Sequence, residues 1–116
     1  MSDFAWAIKN GEVEVVKQRV EGDGLDVNAL VEGRTPLHYA ADYGQVPVME
    51  YLLARGAVVD AKDKHGISPL LAAVWEGHVD CVKLLLGKGA DRRGTAPDGT
   101  SYAEAAEKQE IKALLA

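Results

Sequence analysis

The chain has only one cysteine, Cys81, in its 116 residues, so no disulfide can close within it and the composition suits a reducing compartment. Basic side chains are outnumbered. The 13 Lys and Arg against 18 Asp and Glu leave a net charge of −5, which argues against a nucleic-acid ligand, because such binding relies on clustered cations. Long apolar runs are missing as well: Asp3, Lys9, Glu12, Glu14 and Lys17 interrupt residues 1–20, so neither a signal peptide nor a membrane anchor is expected there. A cytoplasmic protein, small enough to enter the nucleus, is the expectation.

Catalytic constellations are also absent. Gly87-Lys88-Gly89 and Gly22-Asp23-Gly24 lack the full phosphate-loop pattern and read as loop glycines. No two histidines stand at metal-ligand spacing, and Cys81 lies among Val79, Val82 and Leu85, where a thiol packs as a buried, inert group. Enzymatic activity, a cofactor and a metal are therefore not expected. What is present is an ordinary globular balance, 47% hydrophobic and 27% charged, enough for one independently stable domain spanning 1–116.

The organising feature is internal repetition. Thr35-Pro36-Leu37-His38-Tyr39-Ala40-Ala41 returns 33 residues later as Ser68-Pro69-Leu70-Leu71-Ala72-Ala73-Val74. The same step carries Gly11 to Gly44 and Gly77, Val13 to Val46 and Val79, and Gly56-Ala57 to Gly89-Ala90. This period and its T-P-L-H motif resemble ankyrin repeats, which implies an all-α-dominated solenoid of helix-turn-helix units joined by β-hairpin fingers.

Each anchor has a mechanical reading. Thr35 and Ser68 offer hydroxyls as helix N-caps, and the proline after each suits a first helical position that needs no amide hydrogen. A first helix then runs to Gly44 or Gly77; a second spans Val46–Leu53 or Val79–Leu86, with its first copy at Val13–Val20. Glycines 56 and 89 end the second helices, and segments such as 58–66 should form the fingers. The expected divisions are 1–34, 35–67, 68–100 and a truncated 101–116, the outer two acting as caps with only one neighbour each. Between Gly22 and Gly33 the register slips by one residue and recovers, predicting a longer first loop and a shorter first finger.

In such a stack the fingers and first helices line a concave face, where the 33-residue step aligns Lys9-Asn10, Asp42-Tyr43 and Trp75-Glu76. Large rings beside carboxylates, at positions where the repeat needs no bulky apolar group, point to partner contact, since Tyr and Trp bury much area at low rotamer cost. Packing against neighbouring helices is the competing reading for either ring alone. The residues expected to touch a protein partner are Trp6, Lys9, Glu32, Tyr39, Asp42, Tyr43, His65, Trp75 and Glu76. Glu32, Asp42 and Glu76 suit a basic partner surface, although Arg34, Lys62 and Lys64 make the face mixed in sign. His38 and His78 read as structural, His38 bridging neighbouring backbones, while His65 sits at a finger tip. Thr35-Pro36 and Ser68-Pro69 meet the minimum for proline-directed phosphorylation, but a capping hydroxyl is poorly presented to a kinase.

Laid out in full, the chain resembles the myotrophin family of small ankyrin-repeat proteins nearly end to end. The likeness rests on residues outside the general repeat pattern: Trp6-Ala7-Ile8-Lys9-Asn10-Gly11, Pro36 to Asp42, Asp63-Lys64-His65, Glu76-Gly77-His78-Val79, Cys81 to Leu86, and Ile111 to Leu115. Tyr43 and Trp75 are bulkier than that family's pattern leads one to expect. The resemblance implies a monomeric partner of the heterodimeric actin capping protein, which it sequesters from filament barbed ends; regulation of transcription factors is a second implied role. A general adaptor using the same face is the alternative.

Overall fold

In a computed structural model, residues 3–116 are described; the start of the expected first repeat, at positions 1 and 2, lies outside them. Eight α-helices are found among the described residues: α1 (Asp3–Lys9), α2 (Val13–Lys17), α3 (Pro36–Asp42), α4 (Val46–Ala54), α5 (Pro69–Glu76), α6 (Val79–Gly87), α7 (Tyr102–Ala105) and α8 (Gln109–Leu115). They stack in two layers, α1-α3-α5-α7 inside and α2-α4-α6-α8 outside, into an elongated body of 40 × 24 × 22 Å. The fold is an ankyrin-type helical solenoid. Among the described residues, no helix is long and apolar enough to cross a membrane.

The inner helices begin at hydroxyl caps one period apart: Thr35 accepts from the His38 N–H, Ser68 from Leu71 and Ser101 from Glu104. Small residues let the inner layer close up, with Ala40, Ala41 and Ala73 fully buried beside Leu37 and Leu70. The outer helices contribute Val16, Val48, Met49, Leu52, Val82 and Leu85 to one continuous core. Truncating such a buried leucine to alanine costs about 2–5 kcal/mol.

Neighbouring repeats are tied at the helix links. Gly44, at φ 71°, turns α3 into α4, and a Cβ there would stand 2.8 Å from His78 Nδ1. His78 Nε2 bonds the Asp42 carbonyl at 3.0 Å, as Gln45 Nε2 bonds that of Lys9 at 2.8 Å and Lys108 Nζ that of Gly77 at 2.7 Å. Each link thus accepts a side chain from the following repeat, and His78 is structural.

Two expectations need correction. The second helix of the first copy does not run as α-helix from Val13 to Val20: α2 stops at Lys17 and the chain winds on as a π-turn over Gln18–Gly22, closed by Asp23 N–H to Gln18 C=O at 3.3 Å. The wider turn takes up one extra residue, so Gly24 (φ 70°) rather than position 23 makes the turn that Gly56 (φ 95°) makes one repeat later. The fingers, moreover, are not hairpins of paired strands. Two isolated bridges, Val31–Arg34 and Thr95–Ser101, are the pairing found among the described residues. The arms are only a residue or two long, and aspartates hold the turns instead: Asp63 Oδ1 accepts from the His65 and Ile67 N–H groups at 2.8 and 3.0 Å, and Asp98 from Thr100 at 3.0 Å.

The first finger is indeed the short one. Glu32 (φ 54°) and Gly33 (φ 83°) form a two-residue turn between Val31 and Arg34, with both corners left-handed as a type I′ turn requires. The second finger uses three residues, Lys64 to Gly66, between Asp63 and Ile67.

Candidate functional site

Tertiary packing gathers several of the expected contact residues around one cleft of about 320 Å3, between the first two fingers and helices α3 and α5. Glu32, Asp42, His65 and Trp75 line it, together with Arg34, Asp63, Lys64, Ile67 and Ala72. The inner-layer position held by Trp6 and Tyr39 in the first two copies is Ala72 in the third, and the missing ring leaves open space beside Trp75.

Arg34 crosses the cleft floor. Its Nη1 lies 3.5 Å from Asp42 Oδ2 and its Nε 3.7 Å from Asp63 Oδ2, while the guanidinium carbon sits 4.9 Å from the centre of the Tyr39 ring. The Asp63 side chain is 2% exposed, against 29% for Asp42 and 23% for Arg34. Burial opposes ionisation of Asp63, but the N–H groups of Ile67 and His65 and the nearby His38 and Arg34 hold its carboxyl below the ordinary value.

Three rings of the inner layer are exposed. Trp6 is 54% exposed, Tyr43 48% and Trp75 47%, values far above those of rings that serve the core, such as Tyr102 at 2%. Lys9 Nζ lies 5.4 Å from the centre of the Tyr39 ring and 5.5 Å from that of Tyr43, so the lysine props the exposed tyrosine against the buried one. Glu76 is exposed at the end of α5 and His65 at the finger tip. Glu32 is exposed too, and among the described residues it takes part in no ion pair or hydrogen bond.

Tyr39 is a correction. Expected on the contact surface, it is 4% exposed: Lys9 and Arg34 lie over its ring and its hydroxyl donates to the Val31 carbonyl at 2.6 Å. It supports the face from beneath. Residues that the repeat pattern did not single out for contact are Arg34, Asp63 and Lys64 around the cleft, and the exposed Leu30 and Val58 outside it. The Asp-x-x-Gly spacing of Asp63 and Gly66 was a usable signal for a side-chain-held turn, whereas nothing in the pattern joins Arg34 to residues 42 and 63.

His38 is fully buried and bonded on both ring nitrogens: Thr35 N–H donates to Nδ1 at 3.1 Å, and Nε2 donates to the Ile67 carbonyl at 2.6 Å. Burial, partly offset by the Ile67 bond, holds its pKa below the ordinary 6.5. Burial likewise pushes the Cys81 thiol up to about 11. Among the described residues, no group of three His, Cys, Asp or Glu is placed to hold a metal ion. A second cleft of about 260 Å3, at the links beside α6, is bordered by the tethering His78 and Lys108 and carries no exposed ring.

Comparison with known proteins agrees with this architecture. The family described as "Ankyrin repeats (3 copies)" matches residues 4–95. Myotrophin of Xenopus tropicalis is 54% identical over 114 residues, covering 97% of this chain and 96% of its own. Myotrophin of Rattus norvegicus is 57% identical over the same shares of both chains. The 26S proteasome non-ATPase regulatory subunit 10 of Dictyostelium discoideum is 40% identical over 77% of this chain and 39% of its own, a likeness of repeats rather than of whole proteins.

Proposed function

The chain belongs to the myotrophin family of ankyrin-repeat proteins, and from that premise we propose that its concave face binds and sequesters the heterodimeric actin capping protein. It is a protein-interaction module, and the mechanism that suits it is steric. A preorganised face gives up little entropy on docking, covers part of its partner's working surface and so keeps filament barbed ends uncapped. No bond is made or broken. A soluble cytoplasmic pool with access to the nucleus fits that role.

The supporting observation is that Trp6, Tyr43 and Trp75, on or at the end of the inner helices, are each about half exposed, and that the carboxylate side chains of Glu32 and Glu76 are exposed to solvent. Rings of this kind make the strongest anchors in protein interfaces, and free carboxylates suit a basic partner surface. Trp75→Ala combined with Glu76→Ala should weaken binding of purified capping protein by roughly thirty-fold, about 2 kcal/mol. Both side chains point away from the core, so the melting temperature should hold. Unchanged calorimetric affinity in a folded double variant defeats the assignment. Binding of a transcription-factor subunit would use the same face, and the variant separates the two partners if it loses one and keeps the other.

A further inference from the structure

The cleft beside Trp75 is nearly neutral although three carboxylates border it, because the protein supplies two cations of its own. Lys64 lies across the first finger, its side chain over Gly33 and its N–H bonded to the Gly33 carbonyl at 2.9 Å. Arg34 goes deeper. Two different nitrogens of one guanidinium face two carboxylates, Asp42 at 3.5 Å and Asp63 at 3.7 Å, and a planar fork engaged at both edges resists displacement better than a point charge.

We propose that Arg34 is an internal counter-cation that sets the specificity of this cleft, holding Asp42 and Asp63 as its own ligands so that a partner's basic side chain is read by Glu32 against the Trp75 ring. The inference rests on the reading above, that this face docks a basic protein surface.

Three observations carry it. The backbone of Arg34 is pinned by reciprocal hydrogen bonds with Val31, of 2.7 and 3.2 Å, so the side chain starts from a fixed point. Its guanidinium rests on the Tyr39 ring, which is itself anchored through its hydroxyl to Val31. Displacing Arg34 would strand the buried Asp63 carboxylate without its ion pair, which makes exchange for an incoming cation unfavourable. Glu32 differs on every count. It is exposed and unpaired among the described residues, and the same two-residue turn that fixes Arg34 projects Glu32 from a left-handed corner at φ 54°. Backbone strain of that kind is maintained by the surrounding turn, and here it separates a free carboxylate from two that are already used.

The test uses two ligands: purified capping protein, followed by calorimetry, and a capped tetra-arginine peptide, followed by chemical-shift titration of the full chain. Glu32→Gln should weaken both about tenfold. Arg34→Gln, by releasing Asp42 and Asp63, should tighten the peptide about tenfold and make its binding indifferent to Glu32, so that the double variant matches Arg34→Gln alone. Equal peptide affinity for wild type and Arg34→Gln, or additive effects in the double variant, overturns the proposal. If Arg34→Gln does not fold, Arg34→Lys keeps the charge but not the fork and should give a gain of about threefold; no gain is equally decisive against it. The two readings fail separately. Peptide behaviour as expected without capping-protein binding removes the partner and keeps the role of Arg34, whereas capping-protein binding that depends on Trp75 with unchanged peptide affinities does the reverse.

Discussion

The imidazole of His38 ties the start of α3 to the second finger, its Nε2 donating to the carbonyl of Ile67 across 2.6 Å. The bond needs neutral histidine, because the other ring nitrogen accepts from Thr35 N–H. The folded chain therefore resists protonating His38, and its pKa lies below 6.5. As pH falls through 6.5 the unfolded chain gains a proton that the folded chain refuses, so stability should decline until the lowered folded value is reached and then level off. A second loss follows below the ordinary carboxylate range, as pH drops through the depressed value of Asp63. His38→Leu, which copies Leu71 of the next repeat, should cost about 1–3 kcal/mol at neutral pH and abolish the upper phase. Urea unfolding across pH 2–8 reads both phases and the cost of the variant; an upper phase that persists in the variant assigns it to another group.

Gly44 and His78 should be coupled. Gly44→Ala meets a left-handed backbone costing about 1–2 kcal/mol as well as the imidazole 2.8 Å away. In a His78→Ala background the steric part vanishes. The double variant should accordingly be more stable than the sum of the single losses predicts, and denaturant midpoints for the four chains check this. Strict additivity would mean that the imidazole moves aside freely.

Stability and binding should oppose one another at Glu32. Glu32→Gly removes the penalty of a side chain at φ 54° and adds some unfolded-state entropy, for a net gain of about 0.5–1 kcal/mol. The same change removes the unpaired carboxylate. A rise in melting temperature accompanied by weaker capping-protein binding is the expected pair of results, and a variant that loses stability contradicts the strained geometry.

Cys81 should be silent in the folded protein. Its side chain is buried and its thiol is pushed up to about 11, leaving almost no thiolate at pH 8. Labelling by a thiol reagent should track global unfolding, with rates that rise across the denaturant transition. Fast labelling in native buffer would show that α6 opens locally.

Several features were legible in the chain before any coordinates. Thr35, Ser68 and Ser101 stand one period apart and all cap inner helices, because an N-cap is a local device that needs only a hydroxyl three residues ahead of a free N–H. The extra residue near Gly22 was visible as a slip in register, but its location was not. A π-turn at Gln18–Gly22 is one of several ways to absorb an insertion, and packing of α2 against α4 selects among them. Tyr43 and Trp75 belong to pairs one period apart, Asp42-Tyr43 and Trp75-Glu76, so the repeat set them at neighbouring places on the inner helices, whereas Trp6 is equivalent to Tyr39 and its exposure was not legible.

Tyr39 shows where that reasoning stops. It is equivalent to Trp6 by the repeat, yet one ring is 4% exposed and the other 54%, because Lys9 and Arg34 close over Tyr39. The 33-residue period by itself determined the solenoid and the helix caps, since those depend on contacts that recur from copy to copy. The tertiary structure alone decided which carboxylates are free: Arg34 reaches eight residues on to Asp42 and twenty-nine on to Asp63, separations with no counterpart in the repeat. Charges gathered by packing have no periodic signature, and in this protein they divide the three carboxylates of the cleft into two already held and one left open.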